Sequence, residues 1–424
     1  MKAGNRFIKN IKTKWRNESI IFLFAAIYAM IAILLNGVML ATDTYTYLDA
    51  WEVFRNGGID YLRTPVLPIV LGCLKALFGE NLWGGVFVAL QLSVLFLSIH
   101  CFYGMASRFL RSETLAFWLT LIYAVISVTW VVFVLTEIFA ISLVVFLLYY
   151  TIELYGGFSL RSAAGFGGML LLLIFLRPAM IYLLPVFMVW WVLVAIMRKR
   201  RRIAAAAGLA AVLVTSSAVL LYMRAFEREH GRFMITAVSM INQIECAKLY
   251  ISHKEDNIDN EVLRHELNEG NADTLAGSSD SVEVSLNKTY DDLMGYYRQN
   301  PLVFVKSVGS RLYRYRNVPL FNVFISSLAT VCDMFMPRLP TLYMFLMLYM
   351  LILVCIMIRH RMIPLLSVLI WALAMSHVFV TVVGAQYDFE RLLLPAWPMV
   401  LLLFGQICAR FRKRRSICMV TVED

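Results

Sequence analysis

The chain has 424 residues, of which 60% are hydrophobic and 16% charged, with a mean hydropathy of +0.72. That balance excludes a soluble globular domain and calls for a polytopic membrane protein, built from helices because lipid-exposed backbone must satisfy its own hydrogen bonds. The net charge of +11 excludes a nucleic-acid-binding stripe as well: the basic residues sit between apolar runs, at 2–16, 198–202 and 410–415, as the cytoplasmic bias of loop charge requires.

Taken in chain order, the apolar runs predict about ten transmembrane helices with both termini cytoplasmic. The first span, 20–40, delivers Asp43 to the outside. The exterior loop 41–81 then contains an apolar stretch, 66–78, that is too short to cross and is bracketed by Pro65, Pro68, Gly79 and Glu80; it reads as an interfacial helix. Spans at 82–105, 115–134 and 137–155 follow, with Thr136 and Glu137 at an exterior corner. A fifth span over 166–176 leads to Arg177-Pro178 outside, and a sixth, 181–197, ends on the arginine block inside.

The seventh span, 203–223, opens a polar insert far longer than ordinary loops. Residues 252–284 read as irregular, and 289–316 as one amphipathic helix lying on the membrane. The run 320–336 is apolar enough to span, but letting 341–358 cross instead keeps Arg359 and Arg361 inside. Spans at 363–383 and 392–409 then lead to the basic tail. The expected organisation is an N-terminal membrane module over 1–223, an exterior insert over 224–340 and C-terminal membrane helices over 341–424.

This topology gathers Asp43, Arg63, Glu137, Arg177, Asp388 and Arg391 on one membrane face. Ionisable groups at such positions are costly and point to function, although helix-end charges also serve as headgroup anchors. Tyr47 falls one helical turn after Asp43, on the same face. Arg63-Thr64-Pro65 sets a fixed cation before a proline-stiffened helix start, where a guanidinium can grip a phosphate with two parallel hydrogen bonds. Asp388 and Glu390 flank Arg391, and one of them is expected to orient its guanidinium.

The seven cysteines contain no CxxC pair, and the six histidines show no close ligand spacing, so neither redox nor histidine-rich zinc chemistry is indicated. No cofactor is required by the sequence. A divalent ion on Asp43 and Glu137 is an open reading.

In order and in membrane side these motifs resemble the GT-C class of membrane glycosyltransferases, especially bacterial enzymes related to protein O-mannosyltransferases and lipid A aminoarabinose transferases. The matching elements are Asp43 after the first span, Arg63-Thr64-Pro65 in the first exterior loop and Thr136-Glu137 at the third corner. Arg177-Pro178 and Arg391-Leu392-Leu393-Leu394-Pro395 look like later elements of the same families. The chain departs from the larger members in having ten predicted spans and a modest insert.

The resemblance implies a GT-C-like all-α membrane fold and transfer of a hexosyl or pentosyl group from a polyprenyl-phosphate-sugar donor. The acceptor would be a hydroxyl of a glycan, lipid or protein at the outer face of a bacterial plasma membrane. It casts Asp43 as the catalytic base and Glu137 as the residue that positions the acceptor or sugar hydroxyls, or that joins Asp43 as a metal ligand. Tyr47, Arg63, Arg177, Asp388 and Arg391 would bind substrate. The alternatives are a polymerase of polyprenyl-diphosphate-linked repeat units and, from another class, a transporter or flippase. The latter should carry ionisable residues in mid-span and internal repeats, and neither is evident.

Overall fold

A computed structural model describes residues 2–251, 280–317, 338–360, 363–385 and 388–420. Among them the chain is helical, with one isolated parallel bridge between Met39 and Phe133. In order, the helices are α1 (Lys2–Asn36), α2 (Thr42–Arg55), α3 (Val66–Leu110), α4 (Glu113–Val128), α5 (Glu137–Gly156), α6 (Leu160–Leu176), α7 (Leu183–Met197) and α8 (Arg202–His230). The insert supplies α9 (Val238–Ile251), α10 (Asp280–Gln299) and α11 (Pro301–Arg314). The last membrane helices are α12 (Leu339–His360), α13 (Leu365–Gly384), the single turn α14 (Phe389–Leu392) and α15 (Trp397–Val420).

Eight helices among the described residues are long and apolar enough to cross a membrane. Two shorter apolar helices, α4 and α6, lie within the same bundle, α4 against α1 and α3, α6 against α5 and α8. A continuous core runs through it, with Phe87, Phe102, Tyr123, Phe166, Phe187 and Trp191 fully buried.

The structure corrects four boundaries. The interfacial stretch 66–78 and the span 82–105 are one element, α3, broken at Gly79, where φ is 71° and ψ 175°. Nothing lies within 4 Å of where a Cβ would sit, so glycine is required there by its backbone angles and not by space. The third span ends at Val128, and 129–136 form a non-helical strap. The amphipathic stretch 289–316 is two helices, because Pro301 lacks the N–H needed to continue α10 and instead starts α11. Asp280 to Val284 belong to α10 and are not irregular. The remainder of 252–284, and the whole run 320–336, lie outside the described residues.

The two ends of the bundle are chemically distinct. At one end Arg108 pairs with Glu153, Arg201 donates to the Tyr155 carbonyl, and Arg198 Nη2 reaches the Ile363 carbonyl at 3.5 Å. Trp190 Nε1 donates to the Leu365 carbonyl at 2.9 Å, so α13 begins at this basic end and finishes at the other. There Cys246 Sγ lies 3.6 Å from the Ala385 carbonyl. Residues 388–391 therefore return beside Asp43 and Arg63 whatever path 318–337 takes.

The strap fixes the site end. Met39 N donates to the Val132 carbonyl at 2.8 Å and Val134 N to the Met39 carbonyl at 3.0 Å. The buried Gln91 amide satisfies the carbonyls of Val131 (3.2 Å) and Phe133 (2.9 Å), which an enclosed non-helical segment needs. Helix α2 lies against α3 because Gly72 admits the ring of Trp51; a Cβ there would come 2.0 Å from it.

Candidate active site

Asp43 sits in the first turn of α2, where the helix dipole favours a carboxylate. Thr44 anchors that turn: its hydroxyl accepts from Ala41 N at 3.0 Å and donates to the Val134 carbonyl at 2.8 Å. The strap that leads into Glu137 thus also holds the helix that carries Asp43.

Arg63 approaches from the loop after α2. Asp60 Oδ1 accepts from the backbone N–H groups of Leu62 (2.9 Å) and Arg63 (2.6 Å), a side-chain turn that aims the arginine inward. Each of its three guanidinium nitrogens makes a hydrogen bond. Nη2 donates to Asp43 Oδ1 at 2.8 Å, Nε to the Thr46 hydroxyl at 2.8 Å and Nη1 to the Tyr47 hydroxyl at 3.3 Å. The cation also lies 4.3 Å from the centre of the Tyr47 ring.

Arg391, on α14, takes the other side of the same carboxylate. Nη1 donates to Asp43 Oδ2 at 3.0 Å, Nε lies 3.5 Å from Glu137 Oε1, and Nη2 lies 3.6 Å from Asp388 Oδ2. Of the two acids flanking Arg391, Asp388 is the one that pairs with it. Asp388 also adopts a left-handed conformation, φ 59° and ψ 38°, which costs a non-glycine residue about 1–3 kcal/mol and recurs at functional sites.

Burial alone would raise the Asp43 pKa, but the guanidiniums of Arg63 and Arg391 outweigh it and hold the carboxyl below its ordinary 3.8. For Arg63, burial acts to lower the pKa, and Tyr47 and Asp43 overcome it, so the cation is more firmly protonated than usual. Asp60 goes the other way: burial raises it despite the hydrogen bonds from Arg63 and Leu62.

All seven residues singled out in the sequence, Asp43, Tyr47, Arg63, Glu137, Arg177, Asp388 and Arg391, line one cavity of about 1080 Å³. Arg177 comes from the break between α6 and the short turn begun by Pro178, and within 4 Å it has no ion-pair partner among the described residues. Sequence reasoning missed three further contributors. Thr46, within α2, and Asp60, in the loop after it, were hidden because single short polar residues carry no distinctive signal. His377 was hidden because it stands alone within the apolar run of α13. Ser239, Asn242 and Gln243, spaced along one face of α9, also line the cavity.

The carboxylates considered for a divalent ion, Asp43 and Glu137, both face arginines here. Both Asp43 oxygens are taken by guanidiniums, Glu137 faces Arg391, and no three His, Cys, Asp or Glu side chains converge as ligands among the described residues.

No family model matches the sequence, and no curated protein matches it. The fold does have solved counterparts. The archaeal oligosaccharyltransferase AglB from Archaeoglobus fulgidus, in complex with an inhibitory peptide and a dolichol-phosphate, superposes with a TM-score of 0.50 at 13% identity, covering 96% of this chain and 52% of that one. The Archaeoglobus fulgidus oligosaccharyltransferase in its apo form gives 0.51 at 12% identity, covering 94% and 51%. The chain shares its fold with these two archaeal oligosaccharyltransferase structures. It spans about half the length of AglB, and at this identity the kinship is one of fold.

Proposed function

We propose that the chain is a membrane glycosyltransferase that moves a sugar from a polyprenyl-phosphate donor to an acceptor hydroxyl by inverting displacement. The observation that carries this reading is a carboxylate held between two guanidiniums, Asp43 between Arg63 and Arg391, on the wall of a large cavity at one end of a GT-C-type bundle. The AglB counterpart in complex with a dolichol-phosphate supports a polyprenyl-phosphate lipid as the donor.

The acceptor oxygen attacks the anomeric carbon, the bond from that carbon to the phosphate oxygen breaks, and the phosphate leaves with the electron pair. The acceptor proton passes to Asp43. As the bond breaks, the phosphate gains negative charge, and preorganised arginines stabilise that state more than the ground state. The pairing also sets the timing of basicity. While Arg63 and Arg391 grip Asp43 it is a weak base; a bound phosphate competes for both guanidiniums and raises the carboxylate's affinity for a proton.

Counting α4 and α6 as spans gives ten crossings, and the loop charge bias supports a site on the outer face of a bacterial plasma membrane with both termini cytoplasmic. The narrower kinship with O-mannosyl- and aminoarabinose transferases, and the hexosyl or pentosyl nature of the sugar, rest on the sequence motifs. Glycan, lipid and protein hydroxyls all fit as acceptors. The test is a transfer assay on the full chain in lipid nanodiscs with radiolabelled polyprenyl-phosphate sugars. Release of polyprenyl phosphate with an inverted product supports the reading; turnover only of polyprenyl-diphosphate oligosaccharides would replace it with a polymerase.

A further inference from the structure

The charged groups lining the cavity fall into two sets by burial. The side chains of Asp43, Arg63 and Arg391 keep 32%, 16% and 21% of their exposure and are linked through the two oxygens of Asp43, while Arg391 Nε, without a hydrogen bond, lies 3.5 Å from Glu137 Oε1. Glu137, Arg177 and His377 are only 3%, 8% and 1% exposed, and each leaves one polar atom sealed from solvent without a hydrogen-bond partner: Glu137 Oε2, Arg177 Nη1 and His377 Nδ1. Leaving such atoms unmet costs about 1–3 kcal/mol each, and three on residues that line one cavity point to a ligand that completes them.

Their donor and acceptor character identifies that ligand. His377 Nε2 faces the Leu392 carbonyl at 3.0 Å, so this nitrogen carries the hydrogen and Nδ1 of the neutral ring is an acceptor. Glu137 Oε2 is an acceptor, and Arg177 Nη1 is a donor. Two acceptors beside one donor repel a second phosphate but match neighbouring hydroxyls, which donate to a carboxylate or imidazole while accepting from a guanidinium. The ring of Tyr182 lies 5.8 Å from that of His377 and also lines the cavity, offering an apolar face beside the polar groups.

We propose that Glu137, Arg177 and His377 form the subsite for the hydroxyl groups of the transferred sugar, with His377 a specificity-determining residue, and that the phosphate is held apart from it by Arg63 and Arg391. This rests on the transferase reading above. His377 acts twice: through Nδ1 on the sugar and through Nε2 on the Leu392 carbonyl, which steadies the turn bearing Arg391.

Two variants separate those roles. His377→Gln retains an N–H at the ε position and loses the δ acceptor; His377→Asn retains a δ acceptor and loses the ε donor. Binding of bare polyprenyl phosphate and of the same lipid carrying glucose, mannose or arabinose is measured on the full chain in nanodiscs. The wild type is expected to prefer at least one sugar-loaded lipid over the bare one. His377→Gln should cut that preference by roughly ten- to a hundredfold with bare-lipid affinity intact, and Glu137→Gln should cut the preference as well, although its contact with Arg391 lets bare-lipid affinity shift too. His377→Asn should keep the preference while weakening both lipids together.

An unchanged preference in both His377→Gln and Glu137→Gln, an equal loss of both lipids in them, or a wild type that binds bare lipid as tightly as every loaded one, overturns the subsite. A wild type that binds none of these lipids overturns the transferase reading instead.

Discussion

Arginines and acids gather at both ends of this bundle, and they do different things there. At the basic end, Arg108 meets Glu153 with its side chain 62% exposed, and Arg200 and Arg202 are at the surface or near it. These are separate, solvated charges of the kind that orient a membrane protein and contribute little to its stability. At the other end, the charges are enclosed and interlocked. Asp43 is shared by two guanidiniums, and Arg391 faces three carboxylates. Loop charge of the first kind needs only a count; the second kind needs four separate segments delivered to within 4 Å of one another, which anchoring at headgroups does not require.

If that contrast is right, like-for-like substitutions at the two ends should differ widely. Asp43→Asn should lower sugar transfer by about 10²–10⁴-fold, the range for loss of a positioned base, whereas Glu153→Gln at the basic end should leave the rate within about twofold, as expected for an exposed pair. Steady-state assays on the two purified variants measure the gap. Arg391→Lys should reduce the catalytic rate by about 10²–10³-fold, because an ammonium cannot hold Asp43, Glu137 and Asp388 in one plane; Arg108→Lys should do almost nothing.

Two smaller effects sharpen the comparison on the stability side. Gly79→Ala forces a side chain into φ 71° and should cost about 1–3 kcal/mol, read as a lower melting temperature in detergent. Gly85→Ala, in a regular part of α3 with open space around it, should instead be neutral or stabilising by up to about 1 kcal/mol.

The smallest effect concerns pH. Because the folded state holds the Asp43 carboxyl below 3.8, the unfolded chain takes up that proton first. The stabilisation from Asp43 is therefore complete above about pH 4 and disappears as pH falls through the lowered folded value. Melting curves of wild type and Asp43→Asn should converge on acidification below pH 4, while Glu153→Gln should track the wild type throughout.

How much of this was legible in the sequence follows from the same physics. The charged residues of the site stood out because an ionisable group at the end of an apolar run is expensive, and because the arginine blocks gave each end a sign. Even Arg391, whose side depended on the path of 320–336, is placed with Asp43 by the start of α13 at Arg198 and Trp190. His377 was not legible: within an apolar helix one histidine has no periodicity, and its two ring nitrogens acquire meaning only from Leu392 and the cavity.

The break at Asn300-Pro301 could have been read, since a proline at the first position of a helix is a start signal; the amphipathic pattern carrying on through it concealed the stop. The strap at 129–136 could not, because Val131, Val132 and Val134 look like the continuation of a span until Gln91 and Met39 are seen to satisfy their backbone.

The central claim, that Arg63 and Arg391 grip a lipid phosphate at Asp43, is tested most directly by mass spectrometry of the lipids that copurify with the solubilised protein, wild type beside Arg63→Ala. A polyprenyl monophosphate, bare or carrying a sugar, present in the wild type and lost in the variant is the result predicted here, and its mass would weigh the sugar. A polyprenyl-diphosphate oligosaccharide in its place, or the same lipids in equal amounts in both samples, would contradict it.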